Sequence, residues 1–149
     1  MSHLPFQLSW IFAYTNVTDE ITIQDETWTD ITFHVEDEKI NITHSISTDT
    51  EEFTIIAPGY YIIDANLGME DSSAGDTRSL RINVNGTQID RTDKTPQNAI
   101  DSHQIGDILV MSKLAKDDVI TLQAYQDSGG TRDVVSGSNI SFIKIYQLR

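Results

Sequence analysis

Apolar and polar residues alternate with a period of two along most of this chain, and this constrains its fold more than any other feature. Residues 31–35, 80–84 and 120–124 each carry three apolar side chains at every second position. Because successive side chains of a strand point to opposite faces, each run has one apolar face. No segment keeps the spacing of an amphipathic helix. The alternation therefore predicts a chain built from strands.

About ten short strands are predicted in all. The others are expected at residues 7–14, 20–23, 39–43, 52–56, 60–67, 105–112 and 139–146. Turn residues separate them, and Asn85-Gly86 is the strongest hairpin signal among these. Residues 90–102 are expected to be the one long polar connection. Short, regularly spaced strands in 149 residues predict a single sandwich or barrel domain, for which a jelly roll and an immunoglobulin-like sandwich both remain open.

The composition of the chain excludes several classes of function. Asp and Glu number 23 against 10 Lys and Arg, a formal net charge of −13. Phosphate recognition needs a basic surface, so no nucleic-acid partner is expected. No membrane insertion is expected either, because no 18-residue apolar run occurs, and residues 1–5 lack the cationic region of a signal peptide. With no cysteine, disulfides, thiol nucleophiles and cysteine-ligated zinc are excluded.

One segment narrows the choice of fold. Residues 53–61, Phe-Thr-Ile-Ile-Ala-Pro-Gly-Tyr-Tyr, resemble the C1q/TNF superfamily, whose pattern runs Phe-Thr, a proline-containing stretch, then Gly-x-Tyr entering a strand. Phe53, Gly59 and Tyr61 occupy those places, and the proline is displaced to Pro58. Further resembling segments follow in the family's order at 26–33, 78–86, 114–119, 126–130 and 141–143. In segment 114–119, Asp117 stands where the family has glycine.

The resemblance covers residues 21–149 and suggests a bacterial or phage type. It implies an all-β, ten-stranded jelly-roll sandwich that assembles as a homotrimer, while residues 1–20 form an N-terminal arm or, as their apolar residues favour, a first strand. The residues themselves also support a trimer, because some strands are apolar on both faces and a cyclic oligomer can bury the second face. The predicted interface residues are Tyr60, Ile62, Tyr125, Phe142 and Tyr146.

The resemblance implies that the chain is a non-enzymatic recognition or structural module. It would be the head domain of a surface, fibre or virion component outside the cell. Its ligand, a cell-surface molecule, a glycan or a protein, is expected to bind at exposed loops at the ends of the sandwich. The candidate loop residues are Asp71, Ser72, Asp76, Arg91, Asp93, Asp127, Arg132 and Asp133. Arg81 alternates with the core-facing Leu80 and Ile82, so a carboxylate partner across strands or across subunits is predicted for it.

Three further patterns in the chain resemble catalytic or metal sites. Residues 127–130, Asp-Ser-Gly-Gly, resemble a serine-protease nucleophile loop, but the chain is too short for that fold and offers no matching His-Asp pair. His34 and Glu36 share the zinc-deaminase spacing, but the cysteine ligands are missing. Calcium is the one cofactor hypothesised for the chain, because carboxylate oxygens are ligands that it prefers. The alternative is that these acids are solvated and bind no metal. The speculative ligands are Asp90, Asp93, Asp117 and Asp118.

Two alternative functions stay open at this point. One is a carbohydrate-active hydrolase that uses a pair of carboxylates, the only abundant catalytic type in the chain. The other is a soluble TNF-like signalling ligand.

Overall fold

A computed structural model of the protein describes residues 7–16, 20–70, 77–95 and 104–149. Within these ranges the chain forms thirteen strands, three of them only two residues long, and no helix that could span a bilayer. The strands are β1 (Trp10–Tyr14), β2 (Thr22–Ile23), β3 (Thr29–Asp30), β4 (Val35–Ile40), β5 (Ile42–Thr43), β6 (Phe53–Ile55), β7 (Gly59–Met69), β8 (Arg78–Val84), β9 (Thr87–Lys94), β10 (Gln104–Leu114), β11 (Val119–Gln126), β12 (Arg132–Val135) and β13 (Phe142–Gln147).

The strands form two antiparallel sheets. In the first sheet the order is β4-β1-β13-β7-β10, with β12 and β2 beside the far end of β7. The second sheet has the order β5-β6-β11-β8-β9, with β3 beside β11. Since β1 lies between β13 and β4, residues 10–14 form a strand within the first sheet.

Period-two alternation brings one face of each sheet into a shared core. Tyr61, Ile63 and Ile145 from the first sheet and Ile120 and Leu122 from the second are all fully buried. These side chains belong to one continuous apolar cluster, which closes the two sheets into a sandwich.

Two connections show why the local sequence turns where it does. Asn85 and Gly86 both have positive φ, 51° and 79°, as the two-residue hairpin between β8 and β9 requires. Asp117, at φ 71°, lies in the turn from β10 to β11, closed by the Asp118 amide donating to the Ala115 carbonyl at 3.2 Å. The residue at the family's glycine position therefore has the backbone conformation that glycine adopts most easily.

The strand predictions differ from the structure in several places, since β3, β9 and the N-terminal part of β4 were not predicted as strands. Residues 90–94 extend β9 instead of belonging to a polar connection, and β12 was not predicted. Residues 31–34 alternate but pair with no strand as a ladder. Ile31 and Phe33 are nevertheless fully buried, and their amides donate to the carbonyls of Leu122 and Thr50.

Candidate functional site

The outward side of the first sheet is a broad apolar surface, which we call the aromatic face. Along β7 the odd-numbered residues from Tyr61 to Met69 are buried in the core, so the even-numbered ones point away from it. The same alternation applies to β1 and β13. The aromatic face consists of Trp10, Phe12, Tyr14, Ile40, Tyr60, Ile62, Leu109, Met111, Phe142 and Tyr146.

Strand pairing aligns these side chains in rows across the sheet. Trp10 lies opposite Ile40 on one side and Tyr146 on the other. Tyr146 in turn lies opposite Ile62, which lies opposite Met111. Five neighbouring strands thus contribute one uninterrupted apolar row, and cross-strand neighbours on the same face are close enough to pack together.

The next row places one cation among aromatic rings. Lys144 lies opposite both Phe12 and Asp64, and Asp64 lies opposite Leu109. The Nζ atom of Lys144 is 5.0 Å from the ring centre of Phe12 and 5.1 Å from that of Phe142. The two rings meet edge to face at 6.0 Å. The Lys144 ammonium is therefore held against aromatic faces by cation–π attraction.

The two ends of the aromatic face differ in shape. At the β10 end, Leu109 and Met111 are 67% and 62% exposed, and Tyr60 on β7 is 53% exposed. At the β1–β13 end the face sinks into an apolar groove of about 520 Å³. Its lining residues are Leu8, Ser9, Trp10, Phe12, Lys144, Tyr146 and Gln147. One end therefore projects, and the other end is recessed.

Four of the five predicted interface residues lie on this face, and one does not. Tyr125 belongs to β11 of the second sheet, where its ring is 5.4 Å from that of Trp28. The expectation that Tyr125 shares a surface with Tyr60 and Phe142 is therefore wrong. Periodicity identifies the side of a strand that faces away from the core, but it does not identify the sheet.

Sequence reasoning missed several residues of the face, although a signal for them was present. Trp10 and Phe12 alternate with the buried Ile11 and Ala13, and Leu109 alternates with the buried Ile108. A strand that is apolar on both faces is the pattern that indicates a second buried surface.

The predicted ligand residues Arg91 and Asp93 lie on a strand, β9, and not in a loop. The Arg91 Nε atom donates to Asp93 Oδ1 at 2.8 Å, and the Ser79 hydroxyl donates to the same oxygen. The hydrogen bond from Ser79, together with the charge of Arg91, holds the pKa of Asp93 below its ordinary value, against the opposing effect of burial.

The remaining loop candidates are dispersed. Asp127 accepts a hydrogen bond from the Thr77 amide at 2.6 Å, at the end of the sandwich where β8 begins and β11 ends. Arg132 and Asp133 form part of β12, paired with β2. Asp71, Ser72 and Asp76 lie outside the described residues.

The four acids hypothesised as calcium ligands are divided between two places. Asp90 and Asp93 lie on β9, whereas Asp117 and Asp118 form the β10–β11 turn. Asp118 accepts from Asn85 Nδ2 at 2.9 Å, and Asp93 lies opposite Ser79, which is six residues before Asn85, or about 20 Å along the strand. Among the described residues, no three His, Asp or Glu side chains are grouped to hold a metal ion.

The two rejected catalytic motifs have other partners. Ser128 Oγ donates to Gln126 Oε1 at 2.5 Å. Glu36 Oε1 lies 2.6 Å from Nδ1 of the buried His44, whose Nε2 lies 2.9 Å from the Thr50 carbonyl and whose ring stacks on Phe53 at 4.3 Å. The contacts of His44 join β4 and the β5–β6 connection to the core.

Comparison with solved structures identifies the architecture. Mouse APRIL superimposes with a TM-score of 0.67 at 11% sequence identity, over 95% of this chain and all of that one. The Eiger TNF protein of S. frugiperda gives a TM-score of 0.67 at 12% identity, over 95% of this chain and 93% of that one. No family model and no curated protein sequence matches the chain. The fold is the C1q/TNF-like jelly roll that the sequence motifs indicated.

Proposed function

We propose that this protein is a non-enzymatic recognition or structural module that assembles as a homotrimer through its aromatic face. The observation that carries the proposal is the row of apolar side chains that crosses five strands on the outward side of the first sheet. A contiguous apolar surface of this kind is typical of interaction sites on soluble proteins.

The shape of the face favours a ring of copies. Leu109 and Met111 project at one end, and the groove lined by Trp10, Phe12 and Tyr146 is recessed at the other. If the projecting end of one copy packs into the groove of the next, the contact is heterologous, and a closing rotation produces a cyclic oligomer. The likeness to Eiger TNF and APRIL favours three copies.

The charge distribution supports the same surface. Three copies carry a formal charge of 3 × (−13) = −39, which would oppose association if the acids lay at the contact. On β7, β10 and β13, however, the outward charged residues of the described segments are balanced, with Asp64 and Asp107 against Lys113 and Lys144. Acids lie at the β4 edge of this side, where Glu38 is opposite Phe12 and Asp37 accepts from the Tyr14 hydroxyl, so the centre of the face carries no excess of acid.

The non-enzymatic part of the proposal is supported by the surroundings of the candidate catalytic groups. Ser128 is bonded to an amide oxygen, which cannot act as its base. Asp30 and Glu52 are carboxylates in one groove of the second sheet, but both are exposed. A general acid of a glycosidase needs a carboxyl group that its surroundings keep protonated, usually by burial.

A TNF-like signalling ligand is the second candidate, favoured by the similarity to the Eiger TNF structure. It shares the trimer with the first proposal and differs in its partner, a protein receptor in place of a surface glycan or a fibre component.

Multi-angle light scattering during size-exclusion chromatography tests the assembly. The expected mass is 3 × 16.7 = 50.1 kDa at micromolar concentration. A mass of 16.7 kDa at every concentration, or of 2 × 16.7 = 33.4 kDa, would contradict the trimer.

A further inference from the structure

A polar groove crosses the outward side of the second sheet, away from the aromatic face. Its floor is formed by Arg81 and Asn83 of β8 together with their cross-strand neighbours Gln123 and Thr121 of β11. Asp30 of β3 lies next to Gln123 on the other side. The groove has a volume of about 430 Å³. Sites for small ligands occupy about 300–1,000 Å³, so the space is large enough for one small molecule.

A hydrogen-bond network holds the floor in one arrangement. Gln123 Oε1 accepts from Arg81 Nε and from Asn83 Nδ2, both at 2.8 Å. Gln123 Nε2 donates to Asp30 Oδ1, also at 2.8 Å. Four polar side chains from three strands are thus locked together through one glutamine, and a site whose groups are already fixed loses less entropy when it binds.

The network leaves several polar atoms of the groove without a protein partner among the described residues. Arg81 uses only Nε, so its two terminal nitrogens remain as donors. The second carboxylate oxygen of Asp30 remains as an acceptor, and the Thr121 hydroxyl makes no bond. Asn83 is only 3% exposed, yet its Oδ1 has no donor. A buried acceptor without a donor is costly, and ordered water or a ligand hydroxyl in the groove can supply the donor.

Arg81 is also held from above. Its guanidinium lies 4.0 Å from the ring centre of Trp28, which contacts Tyr125 as well. The carboxylate of Asp30 also acts on Arg81 through its charge, but within the described part of the chain it is joined to Arg81 through Gln123 and not by a direct ion pair. Burial and the neighbouring charge of Arg91 lower the pKa of Arg81. A stacked, oriented guanidinium with free donors is a group suited to a ligand oxygen.

We propose that this groove binds a neutral sugar unit of a glycan. The floor offers donors on Arg81 and Thr121 and an acceptor on Asp30, and the hydroxyls of a pyranose can both donate and accept. The charges of Arg81 and Asp30 offset each other, and the carboxylates of Asp30 and Glu52 would repel a phosphate or an acidic sugar. The groove lies within one protomer, so the proposal does not depend on the trimer.

Saturation-transfer NMR with free sugars tests the proposal on the full-length protein. The probes are glucose, galactose, mannose and N-acetylglucosamine, with glucuronate as the charged comparison. Because the groove is open and polar, a single unit is expected to bind with a Kd of about 1–10 mM. The expected result is saturable binding of at least one neutral sugar.

Two substitutions connect binding to the groove. Thr121→Val removes a hydroxyl that bonds to nothing in the described structure, and Asp30→Asn keeps an oxygen that can accept from Gln123 but removes the carboxylate. Each is expected to weaken binding about tenfold, as the loss of a ligand hydrogen bond does. Thr43→Val is the matched control on an exposed position of the same sheet outside the groove, and it should bind as the wild type does.

Several results would overturn the proposal while leaving the trimer intact. They are the absence of binding by all four neutral sugars, binding of glucuronate alone, and binding that is unchanged in both groove variants. Circular dichroism of each variant shows whether it is folded, and either groove variant alone suffices if the other fails to fold. A monomeric mass with normal sugar binding would instead contradict the assembly and support the groove.

Discussion

Placing charges on the projecting end of the aromatic face should dissociate the trimer. The test variant is Leu109→Asp combined with Met111→Asp, two residues that are 67% and 62% exposed in the single chain. Because these side chains contact little within their own protomer, the fold should tolerate the change. The prediction therefore separates assembly from stability.

The magnitude follows from the area still open to water. Full burial of a Leu or Met side chain contributes about 1.5–3 kcal/mol, and about two-thirds of each remains available for burial between copies. Each side chain then contributes about 1–2 kcal/mol, and three identical contacts sum to about 6–12 kcal/mol per trimer. Since the midpoint concentration varies as the square root of the trimer dissociation constant, it should rise about 10²- to 10⁴-fold.

Sedimentation equilibrium over a dilution series measures this shift. Ile46→Asp is the control, because Ile46 is 53% exposed but lies between β5 and β6, away from the first sheet. The control should retain the 50.1 kDa mass, and the double variant should show 16.7 kDa at concentrations where the wild type is trimeric. The reasoning is refuted if the double variant dissociates no more readily than the wild type, or if the control dissociates equally.

Three further predictions concern stability. Gly86→Ala should lower the free energy of unfolding by about 1–2 kcal/mol and Tm by about 2–8 °C. Gly86 has φ +79°, and an added Cβ meets nothing within 4 Å, so the loss comes from backbone conformation alone. Thermal unfolding measures it beside Gly130→Ala, which should be neutral, and equal Tm values for both variants would count against the turn assignment. The folded-state pKa of Asp93 lies below its ordinary 3.8, so its contribution to stability is complete well above pH 3.8 and is lost as the pH falls through the lowered pKa. This contribution is less than about 1 kcal/mol, because the side chain is 53% exposed. Urea unfolding between pH 6 and about pH 2 should show a shallower acid loss in Ser79→Ala, and parallel curves for wild type and variant would disprove the role of the Ser79 hydroxyl. His44→Ala should lower the free energy of unfolding by about 2–4 kcal/mol, because it removes a stacked, buried ring and its contacts with Glu36 and Thr50. The control Thr43→Ala, at an exposed position, should change it by less than about 0.5 kcal/mol. Similar denaturant midpoints for the two variants would contradict this prediction.

Strand prediction from the sequence succeeded where side-chain burial and backbone pairing coincide. The central part of β7 and the whole of β11 alternate between buried and outward residues, in β8 the buried Leu80 and Ile82 flank Arg81, and all three strands were predicted. The N-terminal part of β4 and all of β9 were not, because at these positions polar side chains face water while the backbone pairs with a neighbouring strand. Residues 31–34 show the reverse case, in which buried side chains alternate without a strand ladder. Periodicity reports burial, whereas a strand is defined by its hydrogen-bond partner.

The candidate site divides in the same way. Period-two patterning and the family motifs indicated a jelly roll with strands that are apolar on both sides, and they identified Tyr60, Ile62, Phe142 and Tyr146 as outward-facing residues. The arrangement of these residues depends on pairings between distant parts of the chain, such as Trp10 with Tyr146 and Ile62 with Met111. The same long-range pairing placed Tyr125 on the opposite sheet and gave Arg81 direct contacts with a glutamine and a tryptophan, while Asp30 is joined to it only through that glutamine. A local pattern can specify which side of a strand avoids water, but only the register between strands decides which side chains form one surface, because backbone hydrogen bonds carry no information about the side chains that they bring together.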